Sequence, residues 1–362
     1  MDFALTDEQQ AVVDAARGLL EGRLTNERHK ELDASTDRFD RQLWGELAEA
    51  NLLGISLPEE VGGSGLGFLE TCLLVEEVGR AAAPLPLLAT VVLGALPIAE
   101  WGTDDQRQRH LPPVVRGERV LSAALVNQGE VTATRDGDGW RLDGWRTCIP
   151  AGTVADRILV PTATPDGPTV FIVDPTSPGA AITRLDTTTG VPDARLELDG
   201  ASVGEEDRFG DEAAVGWMLE RATAAYCSLA AGVCATAVAM TAEYTKTRQQ
   251  FDRPIASFQA VGQRVADAYM DSEAVQLTAR QAAWRLSNGI PATEEVAVAK
   301  FWAADGGQRV VHAAQHLHGG IGVDRDYPLH RYFLLAKQLE LSLGGATRQL
   351  LTLGRILADT PV

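Results

Sequence analysis

Little in this sequence points to metal, disulfide or membrane chemistry. Its 362 residues include four cysteines, Cys72, Cys148, Cys227 and Cys234, and six histidines. The cysteines form no C-x-x-C pair and no metal-ligand spacing, which argues against a zinc module. Cys227 and Cys234 lie seven apart on one face of an expected helix and read as buried thiols in a reduced compartment. No run approaches 18 uninterrupted apolar residues, so no membrane span is expected. The start MDFALTDEQQ lacks a basic and then apolar leader, and the reading is a cytoplasmic protein. No G-x-G-x-x-G follows an expected strand and no βαβ alternation is present, which argues against a Rossmann nucleotide fold. Basic residues are also scarce. Against 50 Asp and Glu there are 32 Lys and Arg, a net charge of −18. Such a chain has no electrostatic attraction to nucleic acid or to an anionic membrane surface. An anionic ligand has to be met by a few local arginines.

What is present is mostly helix, interrupted once. Thr6-Asp-Glu-Gln9 is a capping box that opens a helix with Val12, Val13, Ala16, Leu19 and Leu20 on one face. Phe39 to Leu53 is a second helical pattern, stopped by Gly54. A Gly-rich loop, PEEVGGSGLG, follows, and Phe68 to Ala83 reads helical until Pro84 forbids continuation. Asp104 to Val115 is a shorter helical piece. The texture changes after Gly117. Short β-branched runs are separated by Asp-Gly pairs at 136–139, 143–144, 166–167 and 199–200, which predict hairpins in a small antiparallel barrel or sandwich. From 211 to 253 proline is absent and a long helix is expected. Three more helical segments follow at 258–287, 293–317 and 328–357. The reading is an α+β chain: an all-α domain over 1–117, a β domain over 118–208 and a C-terminal four-helix bundle over 209–362.

The stretch from Glu243 to Gly322 organises the rest. EYTKTRQQFDRPIASFQ places a cation, an aromatic and a proline-fixed turn between two long helices. A 3.5-residue repeat of Val261, Val265, Ala268, Ser272, Val275, Ala279, Ala282 and Leu286 marks a helix face packed closely along a neighbour. Gly319-Gly320 and Gly322 then break the chain where backbone passes near something bulky. By physics alone this is a bundle with a Gly-rich, basic end suited to an anionic ligand.

RQQFDRPIASFQ, HLHGGIGVDRDYPLHRYF and the PEEVGG run at 58–63 resemble the signatures of the acyl-CoA dehydrogenase family of flavoproteins, and the likeness covers nearly the whole chain. That family removes two hydrogens across the Cα–Cβ bond of an acyl-CoA thioester. A carboxylate takes the α-proton, and the β-hydrogen leaves as hydride to FAD. The resemblance implies that Arg248 and Phe251 reach the FAD pyrophosphate across a dimer interface, where a forked cation suits a diphosphate. A capping arginine at a helix C-terminus is the plainer reading of Arg248 taken alone. His316 stands where relatives carry a Gln on the adenosine side, and Gly319 and Gly320 let backbone approach the cofactor.

Three departures from the family pattern are legible. The Thr-Glu-Pro and Gly-Ser-Asp run that covers the flavin is replaced by Leu125 to Glu130, and its Trp-Ile-Thr counterpart by Cys148-Ile149-Pro150. The carboxylate of the Tyr-Glu-Gly-Thr turn is replaced by Leu343, within Leu343-Gly-Gly-Ala-Thr347. Relatives that place the base on the first bundle helix would have it at Ala222, and the nearest carboxylate, Glu220, lies about 200° around the helix from there. The combination resembles one subunit of heteromeric actinobacterial acyl-CoA dehydrogenases that act on steroid side-chain thioesters as two-plus-two tetramers. The resemblance implies an acyl-CoA substrate, a paralogous partner that supplies the base, and an electron-transferring flavoprotein as acceptor. Two alternatives stay open: a self-sufficient homotetramer using Glu220, and a non-catalytic structural subunit without flavin.

Overall fold

The computed structural model describes residues 3–125 and 129–359. In chain order the N-terminal helices are α1 (Asp7–Arg23), α2 (Asn26–Asp33), α3 (Arg41–Glu49) and α4 (Phe68–Arg80). A π-helical stretch, Leu88–Ala95, runs into α5 (Leu96–Trp101), and α6 (Asp104–Val115) follows. Eight strands come next: β1 (Leu121–Ala123), β2 (Val131–Asp136), β3 (Gly139–Ile149), β4 (Arg157–Thr164), β5 (Gly167–Val173), β6 (Ala180–Arg184), β7 (Ala194–Gly204) and β8 (Arg208–Phe209). The C-terminal part holds α7 (Glu212–Thr247), a small hairpin of β9 (Gln249–Gln250) and β10 (Arg253–Pro254), then α8 (Gln259–Ser287), α9 (Thr293–His318), α10 (Leu329–Leu341) and α11 (Ala346–Asp359). A helical N-terminal part, a middle sheet and a helical C-terminal part are the expected class of fold.

Packing divides the chain into two compact units. One holds the residues up to His29, Cys72–Ala83 and the chain from Thr223 onward; the other holds Lys30–Thr71 and Pro84–Ala222. The sheet lies in the second, with strand order β6-β7-β3-β2-β4-β5-β8 and β1 beside β4. Its pairings are antiparallel except β1–β4 and a single bridge between β2 and β4, which are parallel. Trp140 of β3 is fully buried and meets Phe171 of β5 edge-on at 5.5 Å, so the two strands share one core.

Two of the four Asp-Gly sites are hairpin turns, joining β2 to β3 and β4 to β5. The other two are not. Asp143-Gly144 and Asp199-Gly200 lie inside β3 and β7, where the register shifts between Leu142 and Gly144. They form a bulge, with the Gly200 N–H donating to the Asp143 carboxylate at 2.7 Å. A bulge and a turn both need a left-handed residue, so local composition does not separate them.

The bundle unit is held by small residues. On α7, Ala224, Ala225, Cys227, Ala230, Ala231, Cys234 and Ala237 are buried. Gly79 and Gly232 mark a close crossing of α4 and α7: a Cβ at Gly232 would stand 2.0 Å from the Glu76 carbonyl, and one at Gly79 2.2 Å from that of Leu229. Burial pushes the Cys227 and Cys234 thiols up to about 12, so both are inert packing groups. Helix α7 is long and apolar enough to cross a membrane by composition, yet 56% of its most apolar window is buried inside the protein, as a core helix requires. The expected stripe on α8 is buried from Ala268 through Ser272, Val275, Ala279 and Ala282 to Leu286, while its first two members, Val261 and Val265, stay half-exposed.

The last expected helix, 328–357, is two helices. The chain breaks over Ser342–Gly345, where Leu343 and Gly344 both have positive φ, 56° and 100°. Helix α10 ends on a buried lysine: Lys300 Nζ donates to the carbonyls of Leu339 at 2.7 Å and Glu340 at 3.2 Å.

Candidate functional site

Helix α7 ends at Thr247, and in its last turn the Tyr244 carbonyl accepts from the Arg248 N–H at 2.8 Å. The chain then reverses through the β9–β10 hairpin, where Gln249 faces Pro254 and Gln250 faces Arg253. Its two central residues, Phe251 and Asp252, have φ of 54° and 62°. Two left-handed residues in a two-residue loop make a type I′ turn, the geometry that matches strand twist. The Ile255 N–H closes the loop on the Arg248 carbonyl at 2.8 Å. Phe251 is 87% exposed and meets Phe258 edge-on at 6.1 Å, and Arg253 lies 4.1 Å over the Phe258 ring. The Arg248 side chain is exposed and its guanidinium has no partner among the described residues.

Helix α9 ends at His318, and Gly319 leaves it with φ 63° and ψ −139°, a backbone conformation reserved for glycine. A Cβ built on Gly319 or Gly320 meets nothing within 4 Å, so this turn faces open space. His316, in the last turn of α9, is exposed. His318 is 3% exposed and fully engaged. Its Nδ1 lies 2.8 Å from the Ala314 carbonyl and its Nε2 3.1 Å from the Tyr327 hydroxyl. A carbonyl only accepts, so Nδ1 carries the proton and Nε2 accepts from Tyr327. Burial lowers the His318 pKa, in keeping with a neutral ring.

These two ends are fastened together. The Tyr244 ring stacks on His318 with centroids 4.4 Å apart and planes 20° from parallel. The Tyr244 hydroxyl donates to the His318 carbonyl at 3.4 Å. Arg248 stands one turn beyond Tyr244, and Gly319 one residue beyond His318. The sequence-predicted residues Arg248, Phe251, His316, Gly319 and Gly320 therefore lie at one end of the bundle unit. Tyr244 and Tyr327 were missed by sequence reasoning. Both lie inside the motifs quoted above, but their contacts to His318 are hydrogen-bond and ring geometry that spacing does not reveal.

The remaining candidates stand on other elements. Glu220 lies on α7 in the part belonging to the sheet unit and is half-buried. Ala222, two residues on, is 0% exposed, so the two side chains leave the helix on different faces. The neighbouring Arg221 guanidinium sits 3.8 Å over the Trp217 ring. Leu343 occupies the left-handed turn between α10 and α11. On β3, Cys148 is exposed at φ 53° and Ile149 is fully buried. Of the run from Leu125 to Glu130, residues 126–128 lie outside the described residues.

Comparison with known proteins places this geometry. Residues 6–118 match the family model "Acyl-CoA dehydrogenase, N-terminal domain" and residues 213–358 match "Acyl-CoA dehydrogenase, C-terminal domain". The chain is 43% identical to acyl-CoA dehydrogenase FadE27 of Mycobacterium tuberculosis, with all of both chains covered. Among solved structures it is similar to a chain of the ChsE4-ChsE5 complex from Mycobacterium tuberculosis, at 44% identity, TM-score 0.97 and full coverage of both chains. It is similar as well to a chain of a Tcur3481-Tcur3483 steroid ACAD variant, at 43% identity, TM-score 0.92 and 98% coverage of each. Matched along both helical parts and across its full length, the chain belongs to the acyl-CoA dehydrogenase family, oxidoreductases whose cofactor is FAD.

Proposed function

We propose that this chain is one subunit of a heteromeric acyl-CoA dehydrogenase, the one that holds part of FAD and lacks the base. The observation that carries the reading is the turn after α10. Leucine, which cannot take a proton, fills the position of the family's carboxylate at Leu343. The alternative position, Ala222, is an alanine buried in the core. The α-proton of the thioester then goes to a carboxylate of a paralogous partner. Two similar structures, the ChsE4-ChsE5 complex and the Tcur3481-Tcur3483 steroid ACAD variant, each pair two differently named chains, and the second supports a bulky steroid side-chain acyl-CoA as substrate.

The residues present fit the dinucleotide half of FAD. An unpartnered Arg248 guanidinium offers forked, charge-assisted donors for a pyrophosphate. Phe251 presents an exposed ring, His316 an exposed imidazole, and Gly319-Gly320 a backbone with open space beside it. Arg248 also follows directly on the negative C-terminal end of the α7 dipole, where a cation is favoured. FAD, when bound, supplies the hydride acceptor; this chain grips and orients it. An electron-transferring flavoprotein is the acceptor that the family resemblance implies.

The test is the visible spectrum of the chain purified alone and after co-expression with an acyl-CoA dehydrogenase-like partner encoded beside it. Flavin present only with the partner, at about one per two chains, is the expected result. Full occupancy in the lone chain would overturn the shared site, and no flavin in either sample would leave a structural subunit.

A further inference from the structure

The Arg248 hairpin and the Gly319-Gly320 turn are exposed, and added side chains at the glycines would touch nothing. Neighbouring bulk therefore does not hold the Gly turn in place. What touches both segments from within is the cluster of Tyr244, His318 and Tyr327 described above. Tyr244 meets His318 through a ring stack and through a hydrogen bond to its carbonyl. His318 bonds its own helix at Ala314 and the far side of the turn at Tyr327. Tyr327 lies beyond the Gly-rich segment Gly319–Val323 and completes the cluster, 6.5 Å from Tyr244 between ring centroids. One imidazole thus ties the end of α7, the end of α9 and the return of the chain after the glycines.

We infer that His318 is a positioning residue for the flavin dinucleotide: through Tyr244 and Tyr327 it fixes how the Arg248 hairpin stands relative to the Gly319-Gly320 turn. The inference rests on the reading that this end of the bundle holds FAD. His318 is buried and acts through its neighbours; His316, exposed two residues earlier, is the histidine that the proposed function sets against the cofactor. A phenylalanine at 318 would keep the aromatic stack but lose both ring hydrogen bonds. A phenylalanine at 327 would lose only the hydroxyl and keep the ring, so it is the gentler variant for folding.

The experiment measures FAD dissociation constants of the assembled, deflavinated enzyme by flavin fluorescence, together with thermal midpoints. The proteins are wild type, H318F, Y327F, the double variant and R248A. Y327F is expected to bind FAD about ten-fold more weakly, the worth of one buried hydrogen bond, and H318F, which also loses the bond to Ala314, at least as weakly. Because H318F and Y327F remove the same bond, the double variant should be no weaker than the weaker single one. Thermal midpoints should fall by similar amounts with and without FAD if the role is merely structural, whereas positioning predicts a larger loss in the FAD-bound form. Unchanged affinity in H318F and Y327F beside a weakened R248A overturns the positioning role alone. Unchanged affinity in R248A overturns the underlying cofactor assignment as well.

Discussion

Lys300 is fully buried, and its ammonium donates 2.7 Å to the carbonyl of Leu339. A buried lysine is costly unless its donors are met, and burial lowers its pKa here. The last carbonyls of α10 meet them: they are negative in partial charge and have no helical partner of their own. The lysine also fixes where α10 stops, and hence where the turn bearing Leu343 begins. Lys300→Met should cost about 2 kcal/mol by leaving those carbonyls unpaired. Urea unfolding followed by circular dichroism measures it, and a loss below about 0.5 kcal/mol would mean that water or a rotated backbone replaces the amine.

Glu220→Gln should leave turnover of the assembled enzyme within about two-fold of wild type. The reason is geometric: Glu220 leaves α7 on a different face from Ala222, where the family's alternative base would stand. Steady-state rates with an acyl-CoA and an artificial electron acceptor decide it. A drop of a hundred-fold or more, with FAD retained, would make Glu220 the base and the chain self-sufficient.

Arg248→Ala should weaken FAD binding by roughly 10- to 100-fold in the assembled enzyme, the range of a charge-assisted contact to a diphosphate. Absorbance of the gel-filtered protein reads the occupancy directly. Retention of the full flavin complement at micromolar protein would remove Arg248 from the site.

Two buried groups of the sheet unit titrate in opposing directions. Asp193 is 7% exposed, and burial raises its pKa from 3.8 to about 7, with the Ala151 N–H and Arg184 opposing. The folded state binds that proton more tightly, so its contribution is full below pH 3.8 and is lost as pH rises through 7, about 4 kcal/mol at most. His110 behaves oppositely. Burial, with Arg109, Arg119 and Arg157, lowers its pKa to about 4, so its contribution is present above 6.5 and lost as pH falls through 4. The two slopes oppose each other between pH 4 and 6.5. Relative to wild type, Asp193→Asn should make the urea midpoint climb with pH across that window, and His110→Gln should make it fall. Parallel profiles for all three proteins would refute both assignments.

Gly232→Ala tests the crossing of α4 and α7. Its Cβ would stand 2.0 Å from the Glu76 carbonyl and 2.6 Å from the Arg80 nitrogen, both backbone atoms that cannot swing aside. A loss of about 3 kcal/mol or more is expected, against a gain of helix propensity below about 1 kcal/mol. Gly216 on the same helix, where a Cβ meets nothing within 4 Å, is the control and should be stabilised by alanine.

Local chemistry was legible wherever it acts over a few residues. The Thr6 capping box forms as read, Gln9 N–H to Thr6 Oγ1 at 3.2 Å and Thr6 N–H to Gln9 Oε1 at 3.1 Å. The break before Pro84 and the proline-free length of α7 follow from backbone sterics alone. Legibility failed where one local signal serves two ends. Asp-Gly marks the turn after β2 and equally the bulge inside β3, and only the partner strand decides. The break before α11 was hidden because a leucine, Leu343, takes the left-handed position beside Gly344. At the site, the sequence pointed to exposed residues with recognisable chemistry, Arg248 and the glycines. The buried scaffold behind them was silent, since Tyr244 and His318 stand 74 positions apart.

The left-handed pair at the hairpin tip carries a cost for the free subunit. A phenylalanine at φ 54° is strained by about 1 kcal/mol where Asn or Gly would not be, and its ring is almost wholly in water. Neither penalty is recovered while the chain is alone; on the heteromeric reading proposed above, burial of the Phe251 ring under a partner surface offsets them. Selection for the solitary chain's stability and selection for assembly therefore pull this position in opposite directions. On the heteromeric reading proposed above, the chain without its partner is the form in which that conflict is felt, as a stickier surface.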